Sequence, residues 1–164
     1  MRNLKWLPLA LLISGTANGT EVVPTEIDPK TFQTPNLYFA CLGEKQPDGR
    51  KASWVAVGVD YAEGYRTIDF LAEIEGKSDK AVIENAVKRV FLTENNGHKT
   101  WHISADGMSD ETKVSFEITI TLVTATNKLF ADYTISKGKA VYTGKSCIQA
   151  PTRGKRGAKD LKST

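Results

Sequence analysis

Cys41 and Cys147 are the two cysteines of this chain, and each sits in an apolar, strand-like run, LYFACL and VYTGKSCI. Two thiols can form a disulfide, contribute half of a metal site, or act as nucleophiles. A zinc site needs four ligands, and neither cysteine belongs to a CxxC pair or has a histidine in its run, so the metal reading is undersupplied. Pairing is the chemistry that fits an oxidising compartment, and one intramolecular bridge is possible. It would span 106 residues of sequence. Closing a loop of ~100 residues stabilises by up to about 4.7 kcal/mol on the chain-entropy account. A bridge needs Cα atoms within roughly 7 Å, so the first and last strands should be neighbours.

The other reactive side chains give less. His98 and His102 are four residues apart in a stretch that reads as turn and strand. There they would be separated by ~13 Å, too far to share a metal. Glu73 and Glu75 share one strand parity, about 6.6 Å apart, a spacing that glycoside hydrolysis could use. Every Glu-x-Glu strand has that spacing, however, so a solvated face is the simpler reading. GxSxG, HExxH, phosphate-loop and dinucleotide motifs are absent from the sequence. We therefore expect no catalytic residues, no cofactor and no metal. The candidate binding residues are Trp54, Tyr61 and Tyr65, the two tyrosines flanking the Glu63-Gly64 turn, together with Arg153, Lys155 and Arg156 of a basic tail. Aromatic side chains at hairpin tips often anchor interfaces.

These residues must be held by elements that the apolar periodicity predicts. SWVAVGVDY places Val55, Val57 and Val59 on one face and Trp54 on the other. TIDFLAEI alternates, with Ile68, Phe70, Ala72 and Ile74 facing a core. KVSFEITITLVTA is the strongest strand, with Val114, Phe116, Ile118, Ile120 and Leu122 on one side. LFADYTI and KAVYTGKSCI follow it through tight turns, as a meander. In SDKAVIENAVKRVFL the period changes, because Ile83, Ala86, Val87 and Val90 fall on a helical stripe. That spacing predicts a short helix from a Ser78 or Asp79 cap to about Arg89. A competing reading makes RVFLTE a strand paired through Asn95-Asn96-Gly97 with KTWHISA. DGMSDET reads as a polar loop.

Composition sets the compartment and the partner class. Arg2 and Lys5 precede the apolar stretch WLPLALLISG, and small residues follow, the order of a secretory signal peptide. The apolar stretch is too short to span a bilayer, which takes ~20 residues. Cys41 lies too far beyond it to be a lipid-attachment site. The formal charge of +3 hides an asymmetry: residues 18–150 carry 15 basic and 18 acidic side chains, and the surplus lies at the two ends. An acidic body argues against nucleic acid as a partner.

The expected organisation is a signal peptide over 1–19, an extended arm over 20–36, a single β-rich domain over 37–150 and a flexible basic tail over 151–164. The expected fold class is mainly β, with α+β as the alternative: an antiparallel barrel or sandwich of about seven strands and one short helix, its first and last strands joined by a disulfide. The expected function is that of a periplasmic or secreted non-enzymatic domain, inhibitor- or adaptor-like, that binds another protein or an envelope component. A lipocalin-like carrier of a small apolar ligand is the alternative, and a hydrolase using strand carboxylates is a third reading. Alkylation of unreduced protein followed by intact-mass measurement should show no alkyl group added; uptake of two would remove the bridge.

Overall fold

Runs that alternate apolar and polar residues bury one face, and tight turns between them leave antiparallel pairing as the way to satisfy their backbones. In the computed structural model, which describes residues 22–151, ten strands form one antiparallel sheet. They are β1 (Thr25–Ile27), β2 (Thr34–Leu42), β3 (Ala52–Ala62), β4 (Tyr65–Ile74), β5 (Lys77–Glu84), β6 (Val87–Asn95), β7 (His98–Ser109), β8 (Thr112–Val123), β9 (Lys128–Lys137) and β10 (Ala140–Gln149). The order across the sheet is β1-β6-β7-β8-β9-β10-β2-β3-β4-β5. Two meanders, β2–β5 and β6–β10, are thus joined where β10 pairs with β2. The sheet curls into a half-barrel. Its concave side holds the core, where Phe39, Phe70 and Phe116 are fully buried with Val55, Val57, Ile118 and Ile135.

The fold class is as expected, with three corrections. There is no helix among the described residues: the predicted segment is β5 and β6. Ala81 and Ile83 alternate inward on β5, Asn85 takes a left-handed φ of 48° at the corner, and the β6 register shifts between Val87 and Arg89. That bulge turns Val87 and Val90 to the same side three residues apart, which imitates helical spacing. The competing hairpin reading describes β6 and β7, joined at Asn96 and Gly97, both with positive φ as this two-residue turn requires. DGMSDET is not a loop: β7 runs to Ser109 and β8 starts at Thr112, so only Asp110 and Glu111 turn. The strand count is ten because the predicted helical segment supplies β5 and β6 and the arm supplies β1. Within the arm, β1 pairs with β6, so the bridged strands are the second and the last. The predicted signal peptide and most of the basic tail lie outside the described residues.

The β10–β2 junction is short. Its register pairs are Ile148 with Ala40 and Gln149 with Phe39, extended by Ala150 N–H donating to Tyr38 O at 2.8 Å. One step further, Cys147 lies opposite Cys41, and a disulfide joins them with Cα atoms 4.8 Å apart. Beyond the bridge β10 bulges. Ser146 has a φ of 49°, and its N–H donates to Asp132 Oδ1. Gly144 lies beneath the Tyr133 ring, where any Cβ would collide with that ring and with Cys147 Sγ. The strands part here, and the buried side chain of Gln46 fills the opening. Its Nε2 donates to Thr143 O at 3.2 Å and its Oε1 accepts from Thr143 N–H at 2.9 Å. A side-chain amide makes the pair of bonds that a neighbouring strand would otherwise make.

Replacing both cysteines by alanine should lower the unfolding free energy by about 2–5 kcal/mol. A fall in the urea midpoint would register the loss, and an unchanged midpoint would mean that the ladder holds the junction by itself.

Candidate functional site

In β2, the inward residues are Leu37, Phe39 and Cys41, which leaves Tyr38, Ala40 and Leu42 on the convex face. The same parity rule puts Trp54 and Ala56 of β3, Leu71 of β4, Phe130 of β9 and Ile148 of β10 on that face. Register then aligns them. Phe130 pairs with Ile148, Ile148 with Ala40, Ala40 with Ala56 and Ala56 with Leu71. Directly opposed Cβ atoms in such pairs are ~5 Å apart, so these five side chains form one apolar row across five strands. Leu42 pairs with Trp54 in the adjacent outward row. Ile148 is 62% exposed and Leu42 81%. Across β7 and β8 the convex face is polar instead, with Ser104 donating to Glu117 at 2.6 Å, and His102 hydrogen-bonded to Thr119. Ala56, 3% exposed, lies beneath its neighbours, so the accessible apolar surface here is that of Ile148 and Leu42 with the partly exposed Ala40, Leu71 and Phe130.

The convex face also carries a polar margin to that row. Tyr38, Gly58 and Asp69 are aligned on β2, β3 and β4. The Tyr38 ring crosses Gly58, and its hydroxyl donates to Asp69 Oδ2 at 2.8 Å. Only a glycine leaves room for the ring there. Glu73, opposite Trp54, and Lys80, opposite Leu71, complete the margin.

The structure separates the residues named from sequence. Trp54 lies half-buried within the patch. Tyr65 is 59% exposed at the β3–β4 turn. Tyr61 is 3% exposed: its ring packs against Phe32 at 5.9 Å, and the Arg66 guanidinium lies 5.2 Å from its centroid on the other contact. Tyr61 is therefore a core residue that fastens the chain between β1 and β2, and Arg66 adds a bond to Lys30 O. Arg153, Lys155 and Arg156 lie outside the described residues. Glu73 and Glu75 do not share a strand face, because β4 ends at Ile74 and Glu75 enters the β4–β5 turn with a φ of 52°. Phe130, Ile148, Leu42 and Leu71 escaped the sequence reading. The available sign was NLYFACL, which is apolar at both parities, as a strand covered on both faces would be.

A second cluster has the residue types for chemistry. Asp79 on β5 accepts from Lys137 Nζ at 2.5 Å and from Tyr142 OH at 2.5 Å. Burial works against ionisation of Asp79, but the two donors outweigh it and hold its carboxyl below the ordinary 3.8. Burial and the same carboxylate push the Tyr142 phenol up to about 12. Each group satisfies another, so the cluster is a tie. Lys137 also donates to Lys80 O, Asp79 accepts from Lys80 N–H, and Ser109 Oγ accepts from Val82 N–H. These bonds cap the free edge of β5 against the far ends of β7 and β9. Among the described residues no group of three histidine, cysteine or acidic side chains could hold a metal, and no helix is long and apolar enough to cross a membrane. Comparison with protein-family models, with curated proteins and with solved structures returns no match.

The tie has a pH signature. A depressed carboxyl adds stability that is present above its unfolded pKa and is lost as pH falls through the folded one. Wild-type stability should therefore fall more steeply below pH 3.8 than that of Asp79→Asn. Tyr142, raised, adds stability below its ordinary 10.0 that is lost as pH rises towards about 12, and Tyr142→Phe should flatten that alkaline limb. Chemical denaturation across both ranges reads the slopes; identical slopes in wild type and variants would remove the tie.

Proposed function

We propose that this protein is an exported, non-enzymatic binding protein that engages another protein through the convex face of β9, β10, β2, β3 and β4. The observation that carries this reading is the register-aligned row Phe130, Ile148, Ala40, Ala56 and Leu71, flanked by Leu42 and Trp54. It has the composition of an interface centre, apolar and aromatic, with Tyr38, Asp69, Glu73 and Lys80 as a polar margin. A rigid, disulfide-fastened sheet loses little conformational entropy on docking, which favours affinity. An inhibitor- or adaptor-like role needs no more than this face. The disulfide is compatible with a periplasmic or extracellular site of action, and the charge-apolar-small order of the first residues supports export.

Two observations weigh against the other readings. Large, fully buried side chains, Phe39, Phe70 and Phe116 with the β-branched residues around them, occupy the concave side, which weighs against the hollow interior of a carrier barrel. Among the described residues, Asp79 is engaged by Lys137 and Tyr142, and Glu117 by Ser104, which favours structural ties over a general base in these two groups.

Immobilised oxidised protein should retain a stoichiometric protein partner from envelope and culture extracts. Ile148→Glu, which places a charge at the exposed centre of the row, should weaken that capture by roughly tenfold or more. Capture that is equal for wild type and Ile148→Glu would move the contact elsewhere, and no captured protein from either extract would end the reading.

A further inference from the structure

The chain between β1 and β2 crosses one end of the half-barrel, turning at Asp28–Thr31 and seating Phe32 in the core. It does not close that end completely. Between it and the ends of β7, β8 and β9 lies a cleft of about 270 Å³. Phe32, Leu37, Trp101, Leu122 and Leu129 form its walls. Trp101 and Leu129 pack against the core yet stay partly exposed, so part of their apolar surface faces the cleft. Among the described residues no charged side chain lines it, and the polar groups at its margin, Gln33, Thr34 and Asn127, are neutral. The cleft is separate from the convex row: Ile120, Leu122 and Leu129 point to the concave side, Phe130 and Ile148 away from it.

We infer that this cleft is a binding site for a small uncharged molecule with an apolar ring system and one hydrogen-bonding end. The walls set the first requirement. A charged group entering would lose its hydration with no opposite charge to replace it, whereas an apolar body gains by leaving water. The margin sets the second: the Gln33 and Asn127 amides can each donate to or accept from a hydroxyl or carbonyl, while the Thr34 hydroxyl is held by Val59 O and the Tyr61 N–H. Size sets the third. An apolar cavity of ~150 Å³ takes one benzene, so a cleft nearly twice as large suits two fused rings or an aliphatic body of the same bulk. Concave, mostly apolar sites with a few neutral polar groups are the common form of small-molecule sites. The site does not depend on the protein-binding face, and each can fail without the other.

The test uses purified full-length oxidised protein, titrated by calorimetry and by tryptophan fluorescence with 2-naphthol and with its charged counterpart 2-naphthalenesulfonate, at neutral pH. Saturable one-to-one binding of 2-naphthol, with the sulfonate weaker by roughly tenfold or more, is the expected result. Leu122→Arg, which brings a charge into the wall, and Leu122→Phe, which fills the space, should each weaken 2-naphthol by a similar factor. Ile148→Glu should leave it unchanged. The proposal is overturned by an absence of saturable binding, by equal binding of the two probes, by wild-type affinity in either Leu122 variant that melts cooperatively, or by loss of binding in Ile148→Glu.

Discussion

The rest of this structure depends on the pairing of β10 with β2. The other long strands pair with sequence neighbours through short connections, and those pairings form two meanders that share no other backbone ladder. Yet this ladder is short, and directly beyond it β10 bulges away. A disulfide stands at the point where the ladder gives out, and the Gln46 amide completes the hydrogen bonding past it. Covalent closure is most useful here, because bringing together residues so distant in sequence carries the largest loop-closure cost in the fold.

The same junction explains why the sheet has two different faces. Bulging at Ser146 resets the alternation of β10, so that Cys147 faces the core beside Tyr133 and Ile148 faces outward beside Phe130 and Ala40. The concave side is thereby completed by a disulfide and aromatic rings, and the convex side acquires a large aliphatic residue at its centre. One backbone irregularity serves the core and the candidate interface together. The opposite seam is built by other means: the free edge of β5 meets Lys137 and Ser109 side chains in place of a strand. Lysine at an edge and side-chain caps both discourage pairing with another chain.

Much of the fold was legible in the residues. Val114 to Leu122, Ile68 to Ile74 and Val55 to Val59 alternate because each strand has one face in the core, and period two survives wherever the ladder is regular. It fails where the backbone is not regular. Val87 and Val90 are three apart and share a face because of a bulge, and no single-sequence pattern separates that from a helical turn. Asp106 to Ser109 lose the apolar alternation because the inward position is Gly107, where Ile83 of β5 packs too closely for a larger side chain, so the stretch reads as a loop. The convex row was hidden for a different reason. Its members come from strands at opposite ends of the sequence, and only the register across the closed junction puts Ile148 beside Ala40. Tyr61 misled in the other direction: a hairpin-tip aromatic became a core residue because Phe32, from the arm, folds onto it.

The strand order also dictates when the fold can be finished. A chain delivered from its N-terminus makes β2 through β5 early, and their local hairpins can form at once. One edge of β2 must then stay open until the last strand is available, since its partner begins only at Ala140. Through that interval β2 exposes an unpaired backbone, an apolar flank and a free thiol. Formation of non-local strand pairs is the slow part of β-sheet folding. The native topology is completed late, when β10 docks beside β2, and the Cys41–Cys147 disulfide, formed when an outside oxidant takes two electrons from the thiol pair, records that the event has taken place.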